Sequence, residues 1–109
     1  MLEPLFESKL KERILFYVWK CPDSYANEIA RNFDAHLYAV QNQLKKLEQG
    51  GVMVSQLKGR VRLFRLNPRY AFLAELTGLL GKAYGFLSHE EQQLYYVKRR
   101  RPRRTGKSR

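Results

Sequence analysis

The chain is poor in cysteine, in histidine and in long apolar runs, and each shortage excludes something. Its one cysteine, Cys21, permits no internal disulfide and no cysteine-pair zinc site, so a reducing, cytoplasmic setting is expected. Its two histidines, His36 and His89, stand far apart in the sequence. With scattered acids they make neither a catalytic triad nor a metal cluster. The longest apolar run, Ile14 to Trp19, is six residues, far short of the ~18 that a membrane helix needs. No basic region followed by an apolar stretch opens the chain, so no secretory signal is expected. Phosphate loops, Gly-x-Ser-x-Gly and His-Glu-x-x-His are all missing. The expectation is a protein that is not an enzyme, with no catalytic residues, no metal, no cofactor and no membrane partner.

Acids are also absent from the last twelve residues, which carry eight bases. The whole chain has 21 Lys and Arg against 10 Asp and Glu, for a net +11. Removing residues 98–109 leaves 13 bases and 10 acids, or +3. A mildly basic domain over 1–97 and a basic tail over 98–109, too charged to fold alone, are therefore expected. With 109 residues and 44% hydrophobic content, one core and one domain follow.

Apolar spacing sets out the elements. Leu10, Ile14, Tyr17 and Val18 recur at helical steps and predict a helix over 9–20, with Leu5 and Phe6 extending its face. Cys21-Pro22 stops it. A short helix follows over 25–31, capped by Asp23 or Ser24. Asn32-Phe33-Asp34 then reads as a tight turn pinned by its aromatic ring. A third helix runs over 35–49 on Leu37, Val40, Leu44 and Leu47, and Gly50-Gly51 ends it. Residues 52–57 and 61–66 are strand formers around Lys58-Gly59-Arg60, a β-hairpin. Asn67-Pro68 reads as the start of a helix over 69–84. Ser88 and Glu91 form a capping box for a last helix over 89–98.

Short helix, turn, longer helix and basic hairpin make a mostly α fold with a small β-hairpin. The stretch SYANEIARNFDAHLYAVQNQLKKLEQGGVM, followed by GRVRLFRLNP, resembles winged helix-turn-helix transcription regulators of the ArsR and MarR type. The resemblance covers roughly residues 9–70. It implies a three-helix core plus wing with C-terminal helices that build a homodimer. It further implies a prokaryotic repressor that binds double-stranded DNA, nucleoid-associated when bound. ArsR-type metal sensors carry cysteine pairs or His and acid clusters, which this chain lacks.

The site residues follow from helical geometry. With Val40 at zero, Leu37, Leu44 and Leu47 fall within about 60° of it. Tyr38, Asn42, Lys45, Lys46 and Gln49 lie opposite, with Gln41 on a flank. Asn and Gln suit adenine edges, and Lys suits phosphate or guanine. A merely solvated helix face is the plainer alternative. The hairpin adds Lys58, Arg60 and Arg62, with Arg65 further back. Such bases serve a DNA-binding wing or protect an edge strand against aggregation. Ser24 and Tyr25, at the start of the short helix, are candidate phosphate contacts. Leu73, Leu76, Leu80, Leu94 and Val97 are candidate dimer-interface residues, ordinary core being the other reading. Cys21 is a buried structural thiol or a redox sensor with Lys20 beside it. A second function stays open: a winged-helix module for a protein partner, antitoxin-like, binding DNA or RNA nonspecifically through its tail.

Overall fold

The computed structural model describes residues 1–97. The predicted basic tail, 98–109, lies outside them. Six helices and one hairpin follow in the order α1 (Glu3–Phe6), α2 (Lys9–Lys20), α3 (Ala26–Phe33), α4 (Leu37–Gln49), β1 (Met53–Lys58), β2 (Val61–Leu66), α5 (Leu73–Tyr84) and α6 (His89–Tyr95).

Helix α2 is the centre of the molecule. Ser8 caps it, its Oγ accepting from the Lys11 amide at 3.0 Å. Ile14, Leu15, Phe16, Tyr17 and Val18 are all buried. Five consecutive buried positions cannot share one face of a helix. Neighbours therefore cover α2 on several sides, and it packs against α1, α4, β2 and α5. Leu5 and Phe6 do not extend α2. They belong to the separate turn α1, whose C-cap Glu7 is left-handed at φ 61°. Leu5 is consequently exposed, while the neighbouring Leu2 is buried. The Leu2 amide donates to the buried Glu12 carboxylate at 3.1 Å.

Neither Asp23 nor Ser24 caps α3. The N-cap is Tyr25, whose amide donates to Glu28 at 3.4 Å. The Ser24 hydroxyl instead donates to the Cys21 carbonyl, and its backbone pairs with Phe64. The hairpin thus ties back to the α2–α3 connection. Helix α3 continues through Phe33, and the break falls at Asp34, left-handed at φ 53°.

Strands β1 and β2 pair antiparallel from Met53 opposite Leu66 to Lys58 opposite Val61. The connecting turn is Gly59-Arg60. Gly59, at φ 62°, supplies the positive φ that a tight hairpin turn needs at its first central position. Asn67-Pro68 does not begin a helix. The Asn67 side chain donates to the Gly51 carbonyl and accepts from the Arg69 amide, and α5 starts only at Leu73.

Helix α6 returns onto the helix-turn-helix. Tyr96, just past its end, is buried against Phe16 at 5.6 Å between ring centroids. Phe33 stacks on Tyr95 at 5.4 Å, and Asn32 donates to the Tyr95 carbonyl at 2.9 Å. The Cys21 thiol points to the Tyr96 carbonyl at 3.8 Å. Cys21 is therefore a buried member of this seam.

Burial pushes the Tyr96 phenol well above the ordinary tyrosine value near 10. The folded state thus holds the neutral form more tightly than the unfolded state does. The stabilisation from this burial is complete below pH 10 and declines as the pH climbs beyond it. Wild-type stability is expected to fall above pH 10, and Tyr96→Phe is expected to flatten that fall. Denaturant unfolding at stepped pH, followed by circular dichroism, measures both.

Candidate nucleic-acid interface

Three side chains set the rotation of α4. Val40, Leu44 and Leu47 are buried against the core, at 0%, 1% and 7% exposure. The residues opposite must then face solvent. Tyr38, Gln41, Asn42, Lys45, Lys46 and Gln49 are all exposed. The sequence assigned Leu37 to the buried stripe, and the structure leaves it 40% exposed. Leu37 is the first residue of α4, following the extended N-cap His36.

Both ends of α4 are fixed by backbone geometry. Before it, the left-handed Asp34 turns the chain, and the Ala35 amide donates to Ala30 at 2.9 Å. After it, Gly51 takes φ 80°, and the Val52 amide donates to the Leu47 carbonyl. The Asn67 amide then donates to Val52. With the Asn67–Gly51 bond, this pins both hairpin strands to the end of α4.

Register separates the wing bases. Alternate residues of a strand point to opposite faces. Met53, Ser55 and Leu57 share a face with Arg62, Phe64 and Leu66. Lys58 and Arg65 lie on the other face, and Arg60 sits in the turn. Lys58, Arg60 and Arg62 are exposed, as the sequence reading requires. Arg65 is engaged elsewhere: it makes three hydrogen bonds of 2.8–2.9 Å to the Asp23 carboxylate. It braces β2 to the α2–α3 connection.

One connection was not visible in the sequence. Arg62 Nη1 donates to Ser55 Oγ at 3.0 Å, and Ser55 Oγ donates to Glu48 Oε2 at 2.6 Å. This links β2, β1 and the last turn of α4. Each pair lies seven residues apart in sequence, and only the strand register makes Ser55 and Arg62 diagonal neighbours.

Ser24 and Tyr25 do not form an open phosphate site. Ser24 has no exposed surface, and its hydroxyl is committed to Cys21. Tyr25 is half-buried, and its hydroxyl accepts from Arg31 at 3.1 Å.

The candidate interface leucines divide. Leu80 has no exposed surface and belongs to the protomer's own core. Leu73 and Leu76 are half-buried, while Leu94 and Val97 are 54% and 46% exposed. Phe72, Leu79 and Phe86 are exposed as well. Among the described residues, no three His, Cys, Asp or Glu side chains gather into a metal-binding group. No helix there is long and apolar enough to cross a membrane.

This geometry has counterparts among solved structures. A point variant of MepR from S. aureus, bound to an oligodeoxyribonucleotide, superposes with a TM-score of 0.58 at 19% identity, covering 84% of this chain and 74% of that one. A double variant of ZitR from Lactococcus lactis, in apo form, superposes with a TM-score of 0.53 at 20% identity, covering 85% and 82%. No family model and no curated protein matches the chain. The fold is a winged helix-turn-helix: α3 and α4 are its two helices and β1–β2 its wing.

The anchors of the wing differ in strength. Arg65 and Asp23 are about half exposed, so Arg65→Ala is expected to cost under about 1 kcal/mol. Asn67→Ala removes one partly shielded and one exposed hydrogen bond at the α4–wing junction and is expected to cost about 1–2 kcal/mol. Urea denaturation of the two variants ranks them.

Proposed function

We propose that the protein is a sequence-specific, double-stranded DNA-binding transcription regulator that acts as a repressor by occupying its site. In this reading α4 enters the major groove. Gln41 and Asn42 meet base edges, and Tyr38, Lys45 and Lys46 meet backbone and neighbouring bases. Lys58, Arg60 and Arg62 of the wing lie on the backbone or in the minor groove. The observation that carries the reading is the one-sided burial of α4, which leaves six hydrogen-bonding or cationic side chains, Tyr38, Gln41, Asn42, Lys45, Lys46 and Gln49, in solvent. The oligodeoxyribonucleotide in the MepR structure supports it, because a protein of similar fold is bound to DNA there.

A homodimer completes the proposal. Leu79, Phe86, Leu94 and Val97 are exposed apolar residues of the C-terminal region, and a second copy would remove them from water. Two-fold symmetry would set two α4 helices about 34–36 Å apart, one turn of DNA, over a palindromic site. The role is binding rather than catalysis, in a cytoplasmic setting. The tail, with its eight bases, adds phosphate affinity without sequence preference.

Selection of duplexes from a random pool at ~150 mM salt tests the reading, because weak phosphate-only binding is suppressed there. A palindromic consensus is expected. Gln41→Ala with Asn42→Ala is expected to reduce preference for that consensus by about tenfold or more, with a smaller loss on random duplex. Deletion of residues 98–109 is expected to weaken both duplexes alike and leave the preference intact. Equal affinity for selected and random duplexes overturns the proposal. Loss of all nucleic-acid binding on tail deletion favours the protein-partner module.

A further inference from the structure

We infer that Glu48 and Ser55 are positioning residues for Arg62, and that this chain makes Arg62 the wing's specificity-determining base. The inference rests on the DNA-binding reading and adds to it the means by which helix and wing dock as one unit.

Glu48 is the only acid on α4. Its place is unfavourable twice over. It stands in the last turn, where the helix dipole already presents negative charge. It also lies on an exposed face beside Lys45, where it repels a phosphate backbone. Its carboxylate nonetheless has a definite partner, the Ser55 hydroxyl at 2.6 Å. A serine hydroxyl has one proton to give. Given to Glu48, it leaves the oxygen as an acceptor, and Arg62 Nη1 donates to it at 3.0 Å.

The chain of bonds orients a guanidinium without consuming it. Arg62 spends one N–H on Ser55 and keeps four for a ligand. Arg65 spends three bonds on Asp23, whereas Arg60 sits in the turn and Lys58 is on the opposite sheet face. Among the wing bases, Arg62 alone is tied through a hydrogen-bonded side chain to α4. In water such exposed bonds are weak. Against a groove that excludes water they strengthen, and a fork already aimed loses less freedom on binding. A pre-aimed arginine discriminates among groove shapes, whereas a freely moving one follows any phosphate.

The test is a double-mutant cycle on the full chain, with the selected duplex and a random duplex of equal length as probes. Ser55→Ala and Arg62→Ala are each expected to weaken the selected duplex by about tenfold. The double variant should lose little more than either single one, because both break the same device. Ser55→Thr keeps the hydroxyl and should restore binding, which separates positioning from packing. Glu48→Gln removes a repelling charge, so affinity for random duplex should rise while the selected-to-random ratio falls. Multiplied losses in the double variant, or a neutral Ser55→Ala, overturn the assignment alone. A wild-type chain that binds no duplex overturns the DNA reading itself, and this assignment with it.

Discussion

The burial of Val40, Leu44 and Leu47 is the constraint on which the rest depends. A helix has one rotational freedom about its axis, and three side chains below 8% exposure remove it. Once they are fixed, the positions of Tyr38, Gln41, Asn42, Lys45 and Lys46 follow without further interaction. None of these side chains needs a partner inside the protein to face outward. Their shared direction is a consequence of core packing, supplied mainly by apolar area removed from water. The polar face is thus positioned by residues that are not part of it.

The same core ties the C-terminal helices to that face. Phe16 and Phe33 lie at the junction, the first against Tyr84 and Tyr96, the second against Tyr17, Tyr95 and Tyr96. Arg13 lies over both Phe33 and Tyr95, at 5.4 and 5.6 Å from the ring centroids. Asn32 holds the Tyr95 carbonyl. Phe33 is the last residue of α3, and the next is the left-handed Asp34 that turns the chain into α4. Displacing α6 would therefore disturb the residue next to the one that turns the chain into α4. The apolar side chains exposed beyond this seam, Leu94 and Val97, continue from it.

Much of this was legible in the sequence where the signal was periodic. The 9–20 helix, the hairpin with Gly59 in its turn, and the polar stripe of α4 all follow from spacing and turn chemistry. Several failures share a physical type: a local signal was outcompeted by a partner elsewhere in the structure. Asn67-Pro68 has the composition of a helix start, but Gly51 claims the Asn67 side chain. Ser24 has the composition of a cap, but Cys21 and Phe64 claim its hydroxyl and backbone. Leu80 reads like its surface-bound neighbours Leu76 and Leu79, yet it alone of the three has no exposed surface. Arg62 and Arg65 are indistinguishable by composition, and only the pairing of β1 with β2 sends them to opposite faces.

That separation of the bases bears on how affinity and selectivity divide. Sequence-independent affinity grows with the number of cations that reach phosphates, wherever they are attached. Selectivity demands that a few side chains be held in fixed positions. Most of the excess charge is in residues 98–109, while the described domain carries only +3. Under the proposed DNA-binding role, residues 1–97 are therefore nearly free of the need to supply bulk attraction. They can keep an acid such as Glu48 on the exposed side of α4 and tie Arg65 to Asp23 by three hydrogen bonds. Both choices lower the local positive charge and both fix geometry. A domain whose folded surface had to supply all the attraction would gain by replacing Glu48 with a base and freeing Arg65. That this chain does neither fits the proposed reading, in which the surface of residues 1–97 is organised around shape and hydrogen bonding.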